Sequence, residues 1–163
     1  MNKIKVKFWG VRGSFPIPKT EDVFGGNTSC VEIRSKSNQI VVLDMGTGLK
    51  NLGDSLLKSK TPITDINIVL SHFHYDHILG FLMFIPLFNE NYTINIYGPG
   101  ENDSDIEAKF KQFLESNFWP VNMDMFTANI NFKHYVSGSF DISKGIKITT
   151  SPHGHPGGAN SIK

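Results

Sequence analysis

Apolar residues recur along this chain in two rhythms, and the switches between them outline alternating strands and helices. Ile4, Val6 and Phe8 alternate with lysines, the period of a half-buried strand. Val31 and Ile33 mark a second strand. IVVLD gives a third, continuously apolar and so expected to be covered on both faces. Between the first two lies GVRGSFPIPKTEDVFGGNTS, a loop rich in Gly, Pro and polar residues, of a length that is usually functional or mobile. Leu49, Leu52, Leu56 and Leu57 fall at helical spacing, predicting an amphipathic helix to about Lys60. Ile66 to Leu70 reads as a buried strand. The run ILGFLMFI predicts a short buried helix stopped by Pro86. A strand follows from Thr93 to Tyr97. Ser104 and Glu107 have the form of a capping box, ahead of a helix that aligns Ile106, Phe110, Phe113 and Leu114. Ile130 with Phe132, and Ile146 with Ile148, suggest two more strands. The alternation predicts one layered α/β domain over residues 1–163.

Composition narrows the class. The 163 residues are 39% apolar and 19% charged, enough apolar side chain for a real core. A net charge of +1 with no long basic block does not advertise nucleic-acid binding, although a few local charges could hold such a substrate. One cysteine, Cys30, excludes an intramolecular disulfide, fits a reducing cytosol and reads as a small buried residue. MNKIKVKFWG alternates where a signal peptide would be continuously apolar, and no run reaches the ~18 apolar residues of a membrane span. A cytoplasmic protein without a membrane partner is the expectation.

The chemistry is concentrated in SHFHYDH, residues 71–77, which holds three of the six histidines. His72 and His74, two apart at the end of a strand, can point to one side and clasp one ion. Asp76 and His77 follow where the chain turns into a helix and can face an adjacent position. Imidazole plus carboxylate suits zinc best, with manganese or iron as alternatives. A second cluster, SPHGHPGG, carries His153 and His155. His134 alternates with Ile130 and Phe132 and reads as a structural histidine at the core edge. The glycines of GVRGS and FGGNTS could aim backbone N–H groups at a phosphate beside Arg12, but plain loop geometry explains them as well.

HFHYDH resembles the HxHxDH signature of the metallo-β-lactamase-fold hydrolases. FWGVRGSFP, GGNTSCVEI, LDMGTGL, IYGPG and HPGG extend the resemblance in order, and together are similar to the branch of RNase Z-like enzymes and cyclic phosphodiesterases. The resemblance implies an αββα sandwich. It implies that His72, His74 and His155 bind a first metal, that Asp76 and His77 bind a second and form the catalytic pair, and that Asp44 supports the site. His153 matches no ligand and is expected in a loop or outer shell. Two divalent ions about 3.5–4 Å apart would activate a shared water as the nucleophile. The implied reaction is hydrolysis of a phosphodiester, with a small nucleotide-like molecule or RNA as substrate; thioester hydrolysis is a rival chemistry of the same fold.

Two further ligands implied by the resemblance, an aspartate and a histidine beyond HPGG, have no counterpart in the tail PGGANSIK, and ANSIK matches the implied strand poorly. The second half of the sandwich is therefore expected to be incomplete. A fragment of a longer enzyme is the favoured explanation. The alternatives are a homodimer whose partner covers the exposed sheet, and a metal-binding domain without catalysis.

Overall fold

The computed structural model describes residues 4–18, 23–35, 37–143 and 145–163; the first three residues of the opening strand motif and residues 19–22 of the long loop lie outside it. Six strands build the main sheet: β1 (Lys5–Gly10), β2 (Cys30–Arg34), β3 (Ile40–Leu43), β4 (Asp65–Val69), β5 (Thr93–Pro99) and β6 (Asn129–Tyr135), in that spatial order. β1, β2 and β3 pair antiparallel, and β3 to β6 run parallel. A smaller sheet holds β7 (Gly138–Ser143), β8 (Ile146–His153) and β9 (Ala159–Ile162), all antiparallel.

Register divides the main sheet into two faces. Ile40, Val42, Ile66, Ile68, Ile94 and Ile96 point to a layer formed by helix α1 (Gly48–Leu57), the short helix α2 (Tyr75–Ile78) with two 3₁₀ turns after it, and helix α3 (Asp103–Phe113). Leu49, Leu52 and Leu56 of α1, with Ile106 and Phe110 of α3, close this core. On the other face Val41, Val69, Tyr97 and Tyr135 meet Ile148 of the small sheet, flanked by Phe140 and Ile162. The layers are thus helices, main sheet, small sheet: three of the four layers of the implied αββα sandwich, with no helix among the described residues outside the small sheet. Below the inter-sheet core, Asn131 donates to Asn95 and Asn95 to Asn67, a polar ladder across three parallel strands.

Several details correct the sequence reading. Val6 and Phe8 are 53% and 65% exposed, so the alternating strand β1 is not half-buried. Pairing puts them in the rows of Ile33 and Val31 on the inner face, and the inter-sheet core reaches no further than Ile33. Pro86 does not stop a helix. It sits in the first turn of the second 3₁₀ segment, Ile85–Phe88, where a missing N–H costs nothing. No capping box forms at α3. The N-cap lies two residues before Ser104, at Asn102, whose side chain accepts from Asp105 N at 3.1 Å. α1 ends at Leu57 rather than near Lys60. ANSIK does form a strand, β9, beside β8. No described helix is long and apolar enough to cross a membrane.

Candidate metal centre

The C-terminal end of β4 delivers SHFHYDH to the edge of the main sheet, and α2 begins within the motif. His72 is buried, whereas His74 is exposed. His155 arrives from the other side, on the turn between β8 and β9. That turn, His155-Pro156-Gly157-Gly158, is closed by a 2.9 Å bond from Gly158 N to His155 O. Gly157 has φ of +81°, which a turn with proline second and glycine third requires. Donor atoms of His72, His74 and His155 all lie within 4.8 Å of one another. The His72 ring centroid is 4.5 Å from that of His74 and 4.6 Å from that of His155.

Beside this trio stand Asp76 and His77, with Nε2 of His77 3.4 Å from Oδ2 of Asp76. The His77 and His72 ring centroids are 4.2 Å apart. Oδ2 of Asp76 also accepts from Ser14 N at 2.7 Å, tying the first loop to the site. Among the described residues no further histidine, cysteine or carboxylate joins this pair to make a second group of three.

Asp44 organises the interior of the site. Its backbone has φ of +61°, a left-handed conformation that aspartate tolerates, and its N–H donates to Val69 O at 3.0 Å. The carboxylate accepts from His77 Nδ1 at 2.7 Å, from Ser71 N at 2.8 Å, from Ser71 Oγ at 2.9 Å and from Ser29 Oγ at 3.1 Å. A carboxylate only accepts, so Nδ1 of His77 carries the proton and Nε2 is left as a lone pair. Ser71 gives its single hydroxyl proton to Asp44 and can then accept from His72 Nδ1, 2.9 Å away. Nε2 of His72 is buried and has no hydrogen-bond partner among the described residues. His155 follows the same logic, its Nδ1 donating to Pro156 O at 2.9 Å. Three imidazoles are thereby fixed through Nδ1, and the buried one, His72, is left with an unpartnered Nε2. A buried nitrogen lone pair without a donor is expensive unless something else binds it. The donor set therefore fits a divalent cation.

The electrostatics agree. Burial pushes the His72 pKa down to about 4, helped by the neighbouring His77 and His74 and opposed by Asp44, so the ring stays neutral. For His77 burial also disfavours the cation, but the hydrogen bond and charge of Asp44, with Asp76, outweigh it and raise the pKa.

The sequence reading placed Asp44 as a supporting residue but missed Ser71 and Ser29, which complete its shell. Serine is too common in turns to stand out, although Ser71 directly precedes the ligand motif. The glycine-rich loops brace this shell. Thr28 and Thr47 exchange hydrogen bonds of 3.0 and 2.8 Å, locking GGNTS to DMGTG. Gly26 packs so closely on Ile17 O that a Cβ would lie 1.6 Å from it. Cys30 is fully buried, and burial raises its thiol pKa, with Asp44 and Glu32 adding. His153 is no loop residue: it ends β8 opposite Ala159, and its ring centroid is 6.2 Å from that of His155. His134 lies apart from the site, exposed, with Nδ1 2.6 Å from Asp103 at the start of α3.

This architecture is the metallo-β-lactamase fold. The metallo-β-lactamase fold protein YhfI from Bacillus subtilis superposes with a TM-score of 0.65 at 21% identity, over 98% of this chain and 56% of that one. A diphosphatase of the PhnP family gives 0.64 at 15% identity, over 99% and 62%. In sequence the chain is similar to ribonuclease Z of Pyrococcus furiosus, 30% identical over 152 residues, which are 88% of this chain and 45% of that protein. Ribonuclease Z of Thermoplasma acidophilum is 33% identical over 102 residues, 60% of this chain and 30% of the relative. The chain spans less than half the length of these ribonucleases. No family profile matches it.

Proposed function

We propose that this chain acts as a metal-dependent hydrolase of phosphodiesters, with RNA as the favoured substrate class. His72, His74 and His155 would hold a first divalent ion, and Asp76 with His77 would contribute to a second. Zinc suits these donors best, with manganese or iron as alternatives. The observation that carries the reading is the convergence of three imidazole donors within 4.8 Å, two of them with Nδ1 already engaged. Similarity to the ribonucleases Z supports the choice of RNA.

Bound divalent ions lower the pKa of a coordinated water and offset charge on a phosphoryl group. The chain's own groups prepare for that chemistry. Asp44 holds His77 by Nδ1 and, through Ser71, holds His72, so neither ring has to reorient when a ligand binds. The Ser14 N–H fixes the Asp76 carboxylate in the same way. Because Asp44 and Asp76 raise the His77 pKa, protons compete with a metal for its Nε2 lone pair.

A second reading is a metal-binding domain without catalysis. It is favoured by the second position, where only Asp76 and His77 meet among the described residues. Elemental analysis of purified chain, with turnover of bis(p-nitrophenyl) phosphate, separates the two. The hydrolase reading expects two ions per chain and turnover that disappears in an Asp76→Ala, His77→Ala double variant. Turnover no greater than that of the double variant would leave only the binding domain.

A further inference from the structure

Next to the histidine cluster the surface opens into a cavity of about 660 Å³, within the size range of small-ligand sites. His74 and Tyr75 form one part of its wall, so it is continuous with the candidate metal centre. Phe73, Phe113, Phe118 and Trp119 supply aromatic surface elsewhere in the lining, and Lys109 supplies a cation. Phe118 and Tyr75 are 82% and 72% exposed, an unusual cost for aromatic rings that no described part of the chain covers. Tyr75 and Phe113 stand 6.1 Å apart, centroid to centroid, with planes inclined by 31°. The indole Nε1 of Trp119 is buried without a hydrogen-bond partner among the described residues. A folded chain seldom keeps a buried donor unsatisfied unless a ligand or water accepts from it.

We infer that this aromatic cavity is a base-binding subsite, which stacks a nucleobase flanking the phosphodiester held at the histidine cluster. The inference rests on the proposed phosphodiesterase reading, which supplies the substrate class. The chemistry follows from the lining. Every nucleobase has a flat π-face that stacks on Phe, Tyr or Trp without regard to sequence. The lining also offers the polar edge of a base the amide of Gln112, rather than apolar side chains alone. Lys109, whose Nζ lies 5.2 Å from the Phe73 ring centroid, shares the lining with Glu115, so stacking rather than net charge would carry the binding. A subsite sharing a wall with His74 would fix the register of a strand, because the base seats while the adjoining phosphate reaches the imidazoles.

The test compares AMP with ribose 5-phosphate, which differ by the base, as ligands of the zinc-loaded chain. Isothermal titration gives affinities, and tryptophan fluorescence with a Trp119→Phe variant identifies the indole that responds. AMP is expected to bind about tenfold more tightly, the order of one stacked base. Phe118→Ala, at an exposed position where folding cost is small, should bring the two ligands together; Tyr75→Ala provides an independent second variant. Equal binding of the two ligands by wild type, or a preference surviving both variants, would overturn the subsite. A base preference without diester turnover would keep the subsite and remove the hydrolase reading. Turnover without base preference would do the reverse.

Discussion

Asp44 and His77, 33 residues apart in sequence, meet through a 2.7 Å hydrogen bond between Oδ2 and Nδ1. One acid thus sets the tautomer of a candidate ligand from the end of the neighbouring parallel strand. Asp44→Asn is the sparing test, because asparagine also tolerates a φ of +61°. Zinc affinity is expected to fall about 10–100-fold, the usual loss when an outer partner of a ligating imidazole is removed. Titration calorimetry with zinc checks it. Unchanged affinity together with a native circular dichroism spectrum would show that Asp44 only shapes the turn.

The two neighbouring imidazoles should titrate on opposite sides of the ordinary histidine value. In the metal-free chain burial holds the His72 pKa down at about 4, while the hydrogen bond and charge of Asp44 hold the His77 pKa above the ordinary histidine value. Their linkage to stability has opposite signs. The stabilisation from protonated His77 is full below its unfolded pKa and is lost as pH rises through the raised value. His72 is neutral in the fold, so stability falls as pH drops from about 6.5 towards 4. Carbon–proton NMR of the imidazoles follows both, and Asp44→Asn should lower the His77 midpoint. A His77 midpoint that does not move would dissociate the shift from the hydrogen bond.

Much of this layout was legible from local pattern, because β3, β4 and β5 are buried on both faces and read as apolar runs, and α1 and α3 carry one apolar stripe each. The histidine spacing in SHFHYDH was equally plain. Relationships set by other elements were not. The exposure of Val6 and Phe8 depends on how far the small sheet extends, which their own alternation cannot report. β7 and β9 are short and mixed in polarity, so pairing rather than pattern defines them. Asp44 is known as a supporting residue only by resemblance until Ser29 from one segment, and Ser71 and His77 from another, converge on it.

Gly46 tests how tightly those segments close. A Cβ there would lie 2.4 Å from Asp76 O, 2.5 Å from Thr28 Oγ1 and 2.6 Å from Ser29 O. Two of the three are backbone atoms, which cannot swing aside. Gly46→Ala is expected to destabilise the metal-free chain by roughly 2–4 kcal/mol, as overpacking beyond simple repair. Urea denaturation measures it. A loss under about 0.5 kcal/mol, the scale of a neutral surface change, would mean that these segments part readily to admit a methyl group.

Gly157 and Gly158 offer a matched pair for the turn that carries His155. Their φ values are +81° and +80°, so alanine meets the same left-handed backbone penalty at either position. That penalty is about 1–2 kcal/mol, partly offset by the lower entropy of the unfolded alanine chain. Their surroundings differ. A Cβ at Gly158 meets nothing within 4 Å, whereas one at Gly157 lies 3.3 Å from Nε2 of His74. Both variants should therefore lose similar stability without metal, followed by thermal denaturation. Only Gly157→Ala should weaken zinc binding, since the new methyl crowds the nitrogen that His74 presents to the cluster. Added zinc raises the melting temperature in proportion to affinity, so the zinc-induced rise should shrink for Gly157→Ala and stay near wild type for Gly158→Ala. Equal shrinkage in both would assign the effect to the turn's backbone, and no shrinkage in either would remove His74 Nε2 from the set of donors.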